Sequence, residues 1–164
     1  MKKRVFIIGN GFDISLGRKT TFSDFAKSKY WGKIPKKDGL GLYLNKKKNI
    51  DNWFDLEECL RLYAVQDIDC QNQGVKMFNP KKDKEVFDLL VEQLSAYLKE
   101  EESKPINPNS DAAVVFDNII NTYYDGIYSF NYTDLSLLAG TYNKTYNDGS
   151  FKYTHVHGSL LERN

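Results

Sequence analysis

The sequence has few cysteines and no long apolar run. Cys59 and Cys70 are the two cysteines among 164 residues, and their spacing matches no common zinc-ligand pattern. We therefore expect reduced thiols rather than a disulfide framework. No stretch approaches the roughly 18 apolar residues of a membrane span, and the apolar run near the N-terminus is too short for a signal peptide. These absences predict a cytoplasmic protein without membrane contact.

The charge is small overall but unevenly distributed. Residues 1–48 contain 13 lysines and arginines against 3 aspartates, whereas the remaining residues contain 10 basic against 19 acidic side chains. A basic field concentrates anions, but the lysine runs lie among glycines and asparagines, which favours a solvated loop over 32–49. Because no groove-reading motif accompanies the charge, nucleic acid is not expected as a partner.

An apolar strand that runs into a glycine turn is the most informative local pattern. Residues 5–8 lack polar alternation and are rich in β-branched side chains, as is typical of a parallel strand covered on both faces. In the Gly9-Asn10-Gly11 turn, the two glycines allow a sharp bend and close approach of backbone N–H groups to an anion. The fingerprint G-x-G-x-x-G fails at Ile14, so nucleotide binding and a plain strand-to-helix turn both remain open.

The rest of the chain alternates between helical and strand patterns. Helices are predicted to begin near Thr21 and to cover 53–60, 84–101, 110–123 and 135–139, with a polar connection over 67–82 and strands over 127–130 and 151–157. The acidic residues 100–102 oppose the dipole of their helix, and we expect that end to fray.

Three strands joined by helices predict a parallel α/β sheet, in which ligands bind at the carboxyl ends of the strands. The polar strand ends are Gly9-Asn10-Gly11, Asn131 and His157. Structural alternatives remain for two of them: Asn131 can cap a following helix, and His157 can bond to backbone. Because the chain has only two histidines, a metal pair of His155 and His157 is disfavoured and no metal is expected.

Five segments in chain order resemble landmarks of the bacteriophage abortive-infection AbiH family. They are residues 9–13, 20–25, 53–57, 130–133 and 155–158. The glycine turn, the strand ending in Asn and the strand ending in His-Gly-Ser are also distantly similar to sirtuins, whose Rossmann-like domain binds NAD. The resemblance implies a single α/β domain over 1–164: a Rossmann-like or sirtuin-like three-layer fold with a small parallel sheet and a helical insertion at about 50–105.

The resemblance also implies which residues form the site. Asn131 and His157 would be catalytic at the nicotinamide ribose, and the Gly9-Asn10-Gly11 turn would hold the pyrophosphate. Neighbouring positions at the same strand ends complete the predicted nucleotide-binding set, namely Phe12, Asp13, Thr133, Asp134, Gly158 and Ser159. The cysteine quartet of the sirtuin zinc module is lacking, so protein deacetylation is not implied.

Two hypotheses on function follow from the resemblance. The first is a phage-defence protein that binds NAD or a related nucleotide and cleaves its N-glycosidic bond. The second is a non-catalytic nucleotide-sensing or protein-interaction module of a defence system. Because three strands make a small sheet, we expect a fold truncated after residue 158, with an exposed sheet edge that favours homo-oligomers.

Overall fold

The computed structural model describes residues 3–50, 55–72, 79–122, 125–135, 138–139 and 153–156. Helices dominate these residues, and three short strands form one parallel sheet. The elements are β1 Val5–Ile8, α1 Asn10–Ser15, α2 Phe22–Lys27, a 3₁₀ turn Trp31–Lys33, α3 Gly39–Ile50, α4 Leu56–Asn72, α5 Pro80–Glu102, α6 Asp111–Ile120, β2 Gly126–Ser129 and β3 Thr154–His155. The prediction of a mixed α/β fold with a small parallel sheet is confirmed.

The chain divides into two compact units, residues 21–97 and residues 1–20 with 98–164. The first is helical and contains an aromatic cluster in which Phe25 packs against Trp31 and Tyr97, with ring centroids 5.6 and 5.5 Å apart. The second contains the sheet. The single domain with a helical insertion at about 50–105 stays a prediction.

Strand order is β1-β2-β3, and Tyr128 in β2 pairs with Ile7 on one side and Thr154 on the other. The connection from β1 to β2 and the connection from β2 to β3 move along the sheet in the same direction. Because crossovers between parallel strands are right-handed, both connections lie on one face of the sheet. Accordingly, the core that buries Ile8 and Ile127 contains side chains from both connections, including Phe116 of α6, Leu135 and Leu138.

The opposite face of the sheet is open. Ile7 is 73% exposed and Val5 50%, and Tyr128 at the centre of that face is 42% exposed. Within the described ranges no second helical layer covers these side chains, so the predicted three-layer arrangement is not observed there. Across the same described residues, β1 pairs with β2 alone and presents its other edge.

The predicted loop over 32–49 is wrong, because α3 occupies Gly39–Ile50. Leu40 and Leu44, four residues apart, are buried and anchor the helix. Gly39 has a φ of +51°, and a Cβ on Gly41 would lie 1.8 Å from the backbone oxygen of Pro35. The glycines that suggested a loop are therefore required where the helix begins in close contact with its surroundings.

Helix ends also differ from the predictions. The connection predicted over 67–82 is helical at both ends, since α4 continues to Asn72 and α5 begins at Pro80. The acidic end of α5 is held in place: Glu101 is 3% exposed, accepts a hydrogen bond from the Lys19 backbone N–H at 3.1 Å, and pairs with Lys104. These bonds overcome the unfavourable helix dipole.

Two predicted helix starts are confirmed at the level of side-chain caps. Thr21 Oγ1 accepts from the Asp24 N–H at 3.0 Å, and Ser110 Oγ accepts from the Ala113 N–H at 3.2 Å. The predicted strand over 151–157 is observed as Thr154–His155, with 151, 152 and 157 outside the described residues. No helix in the described ranges is long and apolar enough to cross a membrane.

Candidate functional site at the strand ends

The carboxyl ends of all three strands meet, as the topology predicts. Ile8 and Ser129 are paired in the sheet, and Ser129 is paired in turn with His155. Beyond the strands, the Phe130 N–H donates to the Ile8 carbonyl and the Val156 N–H to the Ser129 carbonyl, each at 2.8 Å. Gly9 and Asn131 therefore emerge at one edge of the sheet. His157, Gly158 and Ser159 lie outside the described residues.

Asn131 is buried at this edge with an unsatisfied amide. The residue is 4% exposed, and its backbone N–H donates to Ser129 Oγ at 3.2 Å. Neither the Oδ1 nor the Nδ2 atom of its side chain has a hydrogen-bond partner among the described residues. Leaving a buried polar group unpaired costs roughly 1–3 kcal/mol. A ligand that supplied a donor and an acceptor would remove this penalty.

Asp13 lies in a buried ion pair and contacts Thr133, two residues after Asn131. Its side chain is 1% exposed, and its two carboxylate oxygens accept from Arg18 Nη1 at 2.9 Å and from Thr133 Oγ1 at 2.7 Å. Thr133 is itself 1% exposed. Both carboxylate oxygens are thus occupied within the protein. Sequence reasoning missed Arg18, which carries no motif and follows a glycine in an ordinary polar segment.

A second chain of hydrogen bonds links Asp134 to the Asn131 backbone. The Tyr153 hydroxyl lies 2.5 Å from Asp134 Oδ1 and 2.9 Å from His155 Nε2, and His155 Nδ1 lies 3.2 Å from the Asn131 carbonyl oxygen. Burial, together with the bond to Asp134, raises the pKa of Tyr153, so its hydroxyl keeps its proton.

The directions of the bonds in this chain follow from the groups that meet. The carbonyl of Asn131 only accepts, so His155 Nδ1 donates to it. Tyr153 has a single hydroxyl proton and contacts both Asp134 Oδ1 and His155 Nε2. The chain therefore connects Asp134 to the backbone of the loop that contains Asn131.

Acidic groups dominate the surroundings of this network. Glu102 accepts from the Asp134 backbone N–H through Oε1. Burial raises the pKa of Glu102, the hydrogen bond from the Asp134 N–H and the charge of Arg18 oppose that rise, and the carboxylates of Asp134 and Asp13 add to it. Such an environment disfavours phosphate and suits hydroxyl or amide groups, which donate to carboxylates.

The glycine turn has a different geometry from the one predicted. Helix α1 begins at Asn10, and Gly9 is its N-cap with extended backbone angles of −127° and −178°. Neither Gly9 nor Gly11 has a positive φ, and a Cβ at either position would meet nothing within 4 Å. The backbone therefore does not require glycine here for a sharp turn. The open space instead leaves the backbone accessible from outside.

A cavity of about 400 Å³ opens next to this turn. Residues 6–12 line it together with Val115 and Ile119 of α6, so its wall is largely apolar. Phe12 closes one side and packs edge-on against Phe116, with ring centroids 5.7 Å apart. Asn131 is not among the residues that line it. Asn10 lies at the rim, where its Oδ1 accepts from Thr20 Oγ1 at 2.5 Å.

Comparison with protein families decides the relationship. A family model described as bacteriophage abortive infection AbiH matches residues 5–164. The chain belongs to the AbiH family. Membership implies a role in phage abortive infection. The match also confirms the family that the sequence landmarks suggested. No curated protein and no solved structure matches the chain, so the distant sirtuin and Rossmann similarity stays unconfirmed.

Two landmarks of this AbiH chain, together with His155 of a third, lie at the strand ends. Residues 9–13 and 130–133 contribute the buried Asp13–Thr133 contact, and His155 joins the second hydrogen-bond chain. Trp53, part of another landmark, lies outside the described residues. Over the described part of this AbiH chain, no three His, Cys, Asp or Glu side chains cluster as metal ligands.

Proposed function

We propose that this AbiH protein acts in abortive infection by binding a nucleotide, NAD or a related compound, at the carboxyl ends of β1 and β2. The buried Asn131 amide carries the proposal, because its unpaired donor and acceptor lie at the sheet edge where α/β proteins bind ligands. A carboxamide or a ribose hydroxyl offers matching groups. The nearby carboxylates favour such neutral donors over phosphate.

The cavity beside Gly9 supports the same proposal. Its volume of about 400 Å³ lies within the usual range for ligand sites, and its apolar wall suits the face of a nucleobase. Open space beside Gly9 and Gly11 lets phosphates approach the backbone. Asp13 would act indirectly, without contacting the ligand, because Arg18 and Thr133 already bind its carboxylate.

The proposed reaction is hydrolysis of the N-glycosidic bond. The oxygen of a water molecule bonds to the ribose C1′ while the bond from C1′ to the nicotinamide nitrogen breaks, and nicotinamide leaves with the electron pair. Asn131 would orient the water or the ribose, and His157 would accept the proton of the water. Positioned acid–base catalysis contributes about 10² to 10⁴ in rate.

Non-catalytic nucleotide sensing is the second candidate, and a specific observation favours it. The titratable side chains nearest Asn131 are already engaged: both carboxylate oxygens of Asp13 accept hydrogen bonds, and both ring nitrogens of His155 have protein contacts. In this case the hydrogen-bond chain from Asn131 to Asp134 would respond to a bound nucleotide and would not transfer a proton in a reaction.

Nicotinamide release from NAD tests the proposal. We expect turnover by the wild type, a loss of about 10² to 10⁴ in His157→Ala, and a comparable loss in Asn131→Ala. Asn118→Ala is the matched control, because Asn118 is exposed on α6 and its side chain donates to the Val114 carbonyl within the same helix. Thermal stabilisation by ADP-ribose without nicotinamide release supports sensing. Absence of both stabilisation and release overturns the nucleotide site.

A further inference from the structure

Within the helical unit of residues 21–97, the first thirty residues are strongly basic. Residues 21–50 contain eight lysines and two carboxylates, Asp24 and Asp38. Asp24 accepts a hydrogen bond from Thr21 Oγ1 at 2.6 Å, and Asp38 pairs with Lys82 of α5 at 3.4 Å. Eight lysines against two carboxylates leave this segment with a net charge of +6.

Lysines from two segments lie around two adjacent aromatic rings. The Nζ atoms of Lys29 and Lys33 lie 5.1 and 5.4 Å from the ring centroid of Tyr30. From the end of α3, Lys48 lies 5.6 Å from the Trp31 ring. Because Tyr30 and Trp31 are adjacent in the chain, these contacts bring charge from two separate segments to one place.

We call the surface formed by Lys27, Lys33, Lys36 and Lys48 the lysine surface. None of these four side chains forms an ion pair with another described residue. Burial lowers the pKa of Lys48, and the charges of Lys36 and Lys27 lower it further. The ammonium groups thus repel one another, and a bound polyanion would relieve that repulsion.

We propose that the lysine surface binds the phosphate backbone of nucleic acid, independently of base sequence. This departs from the expectation that nucleic acid is not a partner, which followed from the lack of a groove-reading motif; binding to the phosphate backbone needs no such motif. An anionic membrane fits less well, because membrane-surface helices insert exposed apolar side chains. Here Trp31, Ile34 and Leu44 are each 2% exposed or less.

Salt-dependent binding tests this proposal. Fluorescence anisotropy with labelled 30-nucleotide RNA, single-stranded DNA and duplex DNA is measured for the full chain between 50 and 300 mM KCl. Each phosphate contact contributes about 0.7 to 0.9 to the slope of log affinity against log salt. We expect the Lys27→Gln, Lys36→Gln, Lys48→Gln triple variant to reduce the slope by about two to three and to weaken binding at least about tenfold.

A triple variant on α5 is the matched control. Lys81→Gln, Lys84→Gln and Lys99→Gln remove the same charge from exposed positions, and their affinity should stay close to that of the wild type. Lys33→Glu, a single change at an exposed position, should weaken binding more than Lys81→Glu. This pair keeps the proposal testable if the triple variant fails to fold. Equal effects of test and control variants overturn the proposal. So do absence of nucleic-acid binding at 50 mM salt, and binding to phosphatidylserine vesicles alone.

Discussion

A buried amide without a partner lowers the stability of the free protein, and Asn131 combines this penalty with a position at the strand ends. Its neighbour Thr133 is equally buried but fully engaged, since its hydroxyl donates to Asp13 at 2.7 Å. The contrast separates two kinds of buried polar residue at one site. Thr133 and Asp13 hold the loop, whereas Asn131 is available to a ligand.

The two residues should respond in opposite ways to replacement by apolar side chains of similar shape. Asn131→Leu removes unpaired polar atoms, and we expect the free energy of unfolding without ligand to rise by about 1 kcal/mol. Thr133→Val removes the donor to a buried carboxylate, and the free energy of unfolding should fall by about 1–2 kcal/mol. Urea denaturation at neutral pH measures both. A larger loss in Asn131→Leu than in Thr133→Val contradicts the assignment.

Tyr153 should contribute a pH dependence at the alkaline end. Its pKa in the folded protein lies above the value of about 10 expected for unfolded tyrosine. A group with a raised pKa contributes its full stability below the unfolded value and loses it as the pH rises through the folded value. The stability difference between wild type and Tyr153→Phe, measured by urea denaturation, should therefore shrink above about pH 10. A constant difference from pH 8 to 11.5 argues against a retained hydroxyl proton.

Among the elements, sequence patterns succeeded where one face is apolar and side-chain caps are present. The caps at Thr21 and Ser110 and the convergence of Gly9 and Asn131 all follow from local chemistry and parallel topology. Helix α3 was missed because its glycines, needed for tight packing at Pro35, are also typical of loops. Contacts between residues far apart in sequence leave no local pattern.

The same limit applies to the candidate site. Its location was predictable, because strand ends are polar and a parallel sheet brings them together. The partners of its side chains were not: Arg18 pairs with Asp13, and Tyr153 contacts both His155 and Asp134, which lies 19 residues earlier in the chain. These bonds depend on burial and orientation, which spacing along the chain does not specify.

Strand β1 provides a prediction about self-association. Ile7 is 73% exposed and lies in β1, which has one unpaired edge among the described residues. Exposed edges of this kind favour pairing with strands of other molecules. Ile7→Lys should reduce homo-oligomer formation. The free energy of unfolding should change by no more than about 0.5 kcal/mol, because the exposed Ile7 side chain makes little contact with the core. Sedimentation velocity over a concentration series checks this. As a contrast, Phe116→Lys places a charge in the core and should unfold the protein. Equal association of the wild type and Ile7→Lys contradicts the prediction.

At the scale of the whole molecule, the two proposed activities belong to different compact units. The lysine surface lies within residues 21–97, whereas Asn131 and its network lie in the unit that contains the sheet. Family membership assigns abortive infection to the chain as a whole. Variants confined to one unit therefore show which surface the defence role requires.

Infection of bacteria that carry the protein gives the last prediction. Abortive infection removes infected cells together with their phage, so we expect reduced plaque formation and culture collapse when nearly every cell is infected. Asn131→Ala should abolish protection if nucleotide binding is the effector step, while Asn118→Ala should keep it. The lysine-surface triple variant should lose protection while retaining ADP-ribose binding if nucleic acid is the trigger. Full protection by Asn131→Ala at wild-type protein levels would place the effector step outside the strand-end site.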